Sequence, residues 1–212
     1  MLQAIDLPAG LDAAELPGEV RLAITTAQRR IETFQDRWQR HRIEQFVAAD
    51  YELVYQTLAW IRRSQPLIGN RFLEWGCGFA VVASLASWLD YDAIGIEAEA
   101  ELLQQGRSTI ADWFRDDQRP PELIAGNFLP AGSESLADDP TLPSVGHPIA
   151  PAYAALELEL DDFAIVYSYP WPGEEIFHED VFQRYAAPGA LHLQFRGPND
   201  VRLWRKTRER QI

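Results

Sequence analysis

The stretch Arg71 to Glu97, RFLEWGCGFAVVASLASWLDYDAIGIE, constrains this chain more than any other. Phe72 to Trp75 is a short apolar run and Gly76-Cys77-Gly78 a turn. Phe79 to Leu89 then carries apolar residues at Val82, Leu85, Ala86 and Leu89, the spacing of one helix face. A second apolar run, Asp92 to Ile96, ends in Glu97, nineteen residues beyond Gly78. Strand, glycine turn, helix and strand in that order put the turn and the acid face to face across neighbouring parallel strand ends. Glycine lets backbone approach a ligand there, and a carboxylate can accept both hydroxyl protons of a ribose diol.

Two cofactor classes use this geometry. A dinucleotide brings an anionic pyrophosphate, wants a third glycine three residues after the second, and gains nothing from an acid beside the turn. Here that position is Val81, and Glu74 stands two residues before Gly76. S-adenosylmethionine brings an α-ammonium and a sulfonium, for which a carboxylate and exposed carbonyls are better partners. Glu74-Trp75-Gly76-Cys77-Gly78-Phe79-Ala80, followed by Glu97, resembles motifs I and II of the class I S-adenosylmethionine-dependent methyltransferases. Ala80 replaces the last glycine of the acid-x-Gly-x-Gly-x-Gly pattern.

The 212 residues, 47% of them hydrophobic and seven of them Trp, suit one domain of about 150 residues plus an appendage. A formal charge of -13 argues against broad contact with nucleic-acid phosphates. The basic cluster Arg202, Arg205, Lys206, Arg208 and Arg210 reads as a solvated tail. A single cysteine forms no internal disulfide, MLQAIDLPAG has no signal-peptide pattern, and no run reaches the ~18 apolar residues of a membrane span. A soluble, cytoplasmic protein with no membrane contact is the expectation.

Residues 1 to 17 lack periodicity and read as a loosely held arm. Val20, Ile24, Ala27, Ile31, Phe34 and Trp38 then draw an apolar stripe along a helix reaching about Val47, suited to packing on the main domain or to pairing with a second copy as a homodimer. Asp50 is placed to cap a second helix, with Tyr51, Val54, Tyr55, Leu58 and Ile61 on one side. The resemblance makes Tyr51 and Tyr55 candidates to cover the methionine end of the cofactor, against their plain reading as packing residues.

Beyond Glu97, a helix over Glu99 to Asp116, weakened by Gly106, leads to a third strand, Glu122 to Ala125, and to Gly126-Asn127-Phe128. Leu129 to Ala152, rich in Pro and Gly, reads as a mobile lid. A fourth strand, Phe163 to Tyr167, runs into Ser168-Tyr169-Pro170-Trp171, followed by a helix opening at Glu174 and Glu175. A fifth strand, Ala190 to Phe195, and an extended piece, Val201 to Trp204, complete the pattern, one strand short of the antiparallel pair with which the family commonly finishes.

The reading is a Rossmann-like α/β domain over residues 67–212, a doubly wound, mainly parallel sheet with helices on both faces, preceded by an arm and helical extension over residues 1–66. The resemblance covers about residues 71–195. It implies cofactor contacts at Glu74, Gly76, Cys77, Gly78, Glu97, Ala98, Asn127 and Phe128. Ser168-Tyr169-Pro170-Trp171 is similar to the [Asp/Asn/Ser]-x-Pro-[aromatic] motif of enzymes that methylate amino groups, and makes these four the candidate catalytic residues. Ser168 would orient an amine and Trp171 would stack on the substrate. The expected activity is methyl transfer from S-adenosylmethionine to an amine of a small molecule or protein. The rivals are a non-catalytic S-adenosylmethionine-binding or regulatory protein and an NAD(P)-dependent oxidoreductase. The four histidines show no metal-ligand spacing.

Overall fold

In the computed structural model, which describes residues 1–37, 47–198 and 200–208, the first residues belong to the central sheet. Leu2–Ala4 (β1) pairs antiparallel with Asp200–Lys206 (β7), in the register Leu2 to Lys206 and Ala4 to Trp204. The remaining strands are Arg71–Trp75 (β2), Asp92–Glu97 (β3), Glu122–Ala125 (β4), Ile165–Ser168 (β5) and Leu191–Gly197 (β6). Their order is β1-β7-β6-β5-β2-β3-β4, with β2 to β6 mutually parallel and β7 antiparallel to both of its neighbours. The expectation of a loose N-terminal arm is thereby corrected. The arm supplies an edge strand beside β7, and three residues are too short for a strand signal in the sequence.

From β2 the chain runs outward through β3 to β4, then returns to lay β5 on the other side of β2 and continues to β6. The C-terminal ends of β2 and β5 therefore meet at the topological switch point, the crevice where open α/β sheets bind ligands. The fourth strand includes Ser168 rather than ending at Tyr167, one residue beyond the expected boundary.

The helices are Gly18–Arg37 (α1), Tyr51–Ser64 (α2), Val81–Trp88 (α3), Ala100–Trp113 (α4), the single turn Tyr153–Leu156 (α5), and Glu175–Tyr185 (α6). Alternation along the strands divides the core: Phe72 and Ile165 join Val20, Ile24, Ile31, Leu58 and Leu85 on one face, while Leu73 and Val166 join Phe177, Val181 and Phe182 on the other. The stripe of α1 is buried against this chain, with Phe34 edge-on to Phe79 at 5.3 Å. Trp38, and the rest of the expected helix up to residue 46, lie outside the described residues. Asp50 caps α2 as expected, its Oδ1 accepting from the Leu53 N–H at 3.1 Å. Tyr51 is buried and Tyr55 packs against the same core, so both serve packing.

Gly106 has a structural reason. A Cβ there would come within 3.0 Å of the Gly78 carbonyl oxygen and 3.2 Å of the Ala80 Cβ, so glycine lets α4 lie against the turn after β2.

Candidate functional site

The turn after β2 is built from left-handed backbone. Gly76 has φ 66° and Gly78 φ 50°, and Ala80, the residue before α3, also sits at φ 54°. An added Cβ at Gly76 would meet nothing within 4 Å, so the bare backbone there faces open space. Ala80 offers no side-chain cap to α3; Glu74 takes that role from the strand, its Oε2 accepting from the Ala83 N–H at 2.7 Å. Burial holds the Glu74 carboxyl well above its usual range, although the Ala83 N–H pulls the other way; the Glu97 charge raises it further. Cys77 lies over Gly95, where a Cβ would clash at 2.8 Å, and burial pushes its thiol up. Glu74, expected beside a ligand ammonium, is instead buttressing a helix, and Cys77 is packing.

Glu97 ends β3 opposite this turn. Its Oε2 accepts from the Gly78 N–H at 2.7 Å and its Oε1 from the Glu99 N–H at 2.9 Å, which fixes the carboxylate across the strand ends. Burial raises its pKa, and the Glu99, Gly78 and Ala98 N–H groups offset part of that rise. A carboxylate has about four lone-pair directions, so these N–H groups leave acceptor capacity for a further donor.

The next strand end holds the 129–152 segment. Asn127 donates from Nδ2 to the Ser144 carbonyl at 3.2 Å and accepts at Oδ1 from the Leu129 N–H at 2.9 Å, while its backbone bridges in parallel to Pro151. Farther along, Ser144 donates its N–H and hydroxyl to the two oxygens of Glu174, at 2.8 and 2.7 Å. Glu174 is 0% exposed, and the nearby His178 Nε2 stands 3.5 Å from its Oε2. Burial alone would raise the Glu174 pKa; the His178 and Ser144 contacts outweigh it and hold the carboxyl below its usual range. The segment read from the sequence as a mobile lid is thus docked on the body at Asn127, Pro151 and Glu174. Proline and glycine content reports the lack of regular structure and says nothing of such side-chain anchors.

After β5, Ser168 does not face outward. It is fully buried, and its Oγ lies 2.9 Å from Nε2 of His192, a ring that burial keeps neutral. The following residues do project: Tyr169 is half-buried, edge-on to Phe195 at 4.8 Å, and the Trp171 carbonyl accepts from the Glu174 N–H at 2.9 Å.

Between these parts lies a cavity of about 630 Å³ at the switch point. Its lining brings together Gly76, Glu97, Ala98, Asn127, Phe128, Tyr169, Pro170 and Trp171 from the expected set, while the side chains of Glu74, Cys77 and Ser168 are committed to the core. The lining also includes Glu175, one of the two acids that open the helix after the 168–171 stretch, and residues the sequence did not single out for the site: Trp75, Glu99, Ser144, His178 and Arg196. Trp75 stacks on Phe128 at 5.0 Å and donates from Nε1 to Tyr153 Oη at 3.2 Å, which in turn donates to the Phe128 carbonyl at 2.7 Å. Arg196 is paired with Glu179. Glu174 and His178, one helical turn apart, carried an i, i+4 signal; Ser144 had none. Among the described residues, no three His, Cys, Asp or Glu side chains gather to hold a metal ion, and no helix is long and apolar enough to cross a membrane.

No protein-family model and no curated protein sequence matches the chain. Among solved structures it is similar to a methyltransferase from Geobacter sulfurreducens, with 16% identity and a TM-score of 0.50 over 93% of this chain and 95% of that one. It is also similar to the methyltransferase PaMTH1 of Podospora anserina, solved with S-adenosylhomocysteine, with 14% identity and a TM-score of 0.50 over 88% of this chain and 66% of that one. The fold is that of the class I methyltransferases. An RNA methyltransferase from Salinibacter ruber aligns less closely, with 13% identity and a TM-score of 0.47 over 75% of this chain and 92% of that one.

Proposed function

We infer that this chain is an S-adenosylmethionine-dependent methyltransferase acting on an amino group of a small molecule or of a protein segment. The observation that carries the reading is Glu97. It is a carboxylate fixed at the end of β3, lining the cavity across from the open backbone of Gly76, with acceptor capacity left for a further donor. That arrangement suits a ribose diol. The cavity is of a size that takes a ligand of this class. Ala98, Asn127 and Phe128 line the same cavity and would hold the rest of the nucleoside.

Bound there, S-adenosylmethionine supplies a methyl group on a positively charged sulfur, electrophilic toward a lone pair. What the protein contributes is alignment. The Tyr169 and Pro170 carbonyls follow directly on β5 at the switch point, and the Glu175 carboxylate lines the same wall, braced by the Gly173 N–H at 2.9 Å. These acceptors suit the N–H groups of an amine, and Trp171 offers an aromatic face to a cationic or planar body. Ser168, given the orienting role by the sequence motif, is buried on His192 and leaves that role to the carbonyls.

An organised loop over 168–175 favours an enzyme over a binding protein that holds the cofactor without turnover. Val81 in place of a third glycine, and the further carboxylates Glu99 and Glu175 around the cavity, disfavour a pyrophosphate-bearing dinucleotide. A thermal-shift panel tests this: S-adenosylhomocysteine should raise the melting temperature and NAD should not. A response to NAD alone would replace the reading with a hydride-transfer enzyme. Transfer of labelled methyl from S-adenosylmethionine to amine probes, absent with matched alcohols, tests the acceptor class.

A further inference from the structure

His178 stands in the first turns of α6 and lines the cavity while only 3% exposed. Its ring lies edge-on to Trp75 at 5.5 Å and to Phe128 at 5.2 Å. Nε2 is 3.5 Å from Glu174 Oε2 and 3.4 Å from Ser144 Oγ. The Ser144 hydroxyl hydrogen is already given to Glu174, so both neighbours of Nε2 present lone pairs. Two acceptors at one ring nitrogen call for a proton on that nitrogen, and in the neutral ring this tautomer has its lone pair at Nδ1. Among the described residues Nδ1 is buried and has no hydrogen-bond partner. An unmet buried acceptor is costly, and it persists where a ligand supplies the donor.

The charges around the ring favour the same role. Glu174, the residue just before α6, is an anion buried behind Nε2. His192, facing from β6, is held neutral by burial. Trp75, Phe128 and the Ser144 hydroxyl complete the surroundings without a charge. A proton arriving at Nδ1 would create an imidazolium against the Glu174 carboxylate, the pairing by which an acid stabilises a catalytic histidine.

We propose that His178 is a catalytic residue that takes the proton of the methyl acceptor at Nδ1, with Glu174 and Ser144 as positioning residues that hold Nε2 protonated. The proposal rests on the methyl-transfer reading. The acceptor arrives as an ammonium; one of its N–H bonds breaks and that proton forms a bond to Nδ1. The lone pair so freed forms the N–C bond to the methyl carbon as the C–S bond breaks, its electron pair staying on the now neutral sulfur. The imidazolium then returns the proton to water.

The test uses the full chain labelled with ¹⁵N at histidine, observed by long-range ¹H–¹⁵N correlation, with benzylamine as the probe acceptor and S-adenosylhomocysteine filling the cofactor site. His178 should be the Nε2–H tautomer in the free protein, and benzylamine added to the complex should shift its Nδ1 resonance. An Nδ1–H tautomer overturns the proposal, as does an Nδ1 resonance that benzylamine leaves unmoved. His178→Gln keeps a donor toward Glu174 and removes the Nδ1 lone pair. It should bind S-adenosylhomocysteine within about twofold of wild type, a difference well under 1.4 kcal/mol. A large loss of affinity in that variant would mean His178 serves the cofactor rather than the proton, and also overturns the proposal. Absence of S-adenosylhomocysteine binding to the wild-type chain would instead overturn the methyl-transfer reading beneath it.

Discussion

Two walls of one cavity are made by different means. The wall from β2 and β3 is backbone: left-handed glycines and a carboxylate that ties strand end to turn, Glu97 to Gly78 across 19 residues. The wall where the 129–152 segment meets the β4 end and the start of α6 is side chains: Asn127, Ser144 and His178, backed by the buried Glu174, common polar residues that become a network only when the fold brings Ser144 to Glu174 across 30 residues. Backbone geometry restricts residue type and so leaves a trace in the sequence. A side-chain network needs only donors and acceptors, which many residues supply.

The difference can be broken by substitution, most strongly at Glu174. Removing its carboxylate leaves the Ser144 N–H and hydroxyl without acceptors in the interior, so Glu174→Ala should cost about 2–4 kcal/mol in urea unfolding and release the 129–152 segment to hydrogen exchange. A loss well below ~1 kcal/mol, with exchange unchanged, would mean the segment is held by its apolar contacts instead.

The two buried acids sharpen the comparison through pH. Glu174 has its folded pKa lowered, so its contribution is present above the unfolded carboxyl value and is lost as pH falls through the folded one. Glu74 has its folded pKa raised by burial, so its contribution is fully present below the unfolded value and is lost as pH rises through the folded one. Urea midpoints from about pH 3 to 8 should therefore show Glu174→Gln flattening the acid limb and Glu74→Gln flattening the limb toward neutrality. Both variants tilting the curve in the same sense would contradict the assigned environments.

A smaller effect is expected at Ser168. Its hydroxyl meets His192 in the core, so Ser168→Ala should cost about 0.5–1.5 kcal/mol of stability and leave S-adenosylhomocysteine affinity unchanged. Loss of turnover without loss of stability would restore the orienting role that the sequence motif suggested.

These cases show why parts of the protein were legible and others were not. The βαβ unit, the switch-point position of Gly76 and the role of Asp50 follow from periodicity and turn chemistry, which act over a few residues. The contacts of Glu74 and Ser168 were not legible because sequence gives a side chain's place on a strand but not which neighbour satisfies it; here those neighbours are the Ala83 N–H and His192. The β1 strand escaped notice because three residues carry no period, and its partner β7 lies at the other end of the chain. His178 was passed over as one histidine among four, and only Ser144, brought in from the docked segment, shows what its ring faces.

The central claim is that the backbone wall holds S-adenosylmethionine through Glu97. Isothermal titration of S-adenosylhomocysteine into wild type and Glu97→Gln tests it most directly. The account predicts binding to wild type that is weaker by about ten- to a hundred-fold in the variant, or ~1.5–3 kcal/mol, because a charged acceptor is lost while the cavity keeps its shape. Equal affinity in the two proteins, or no binding to either, would contradict it.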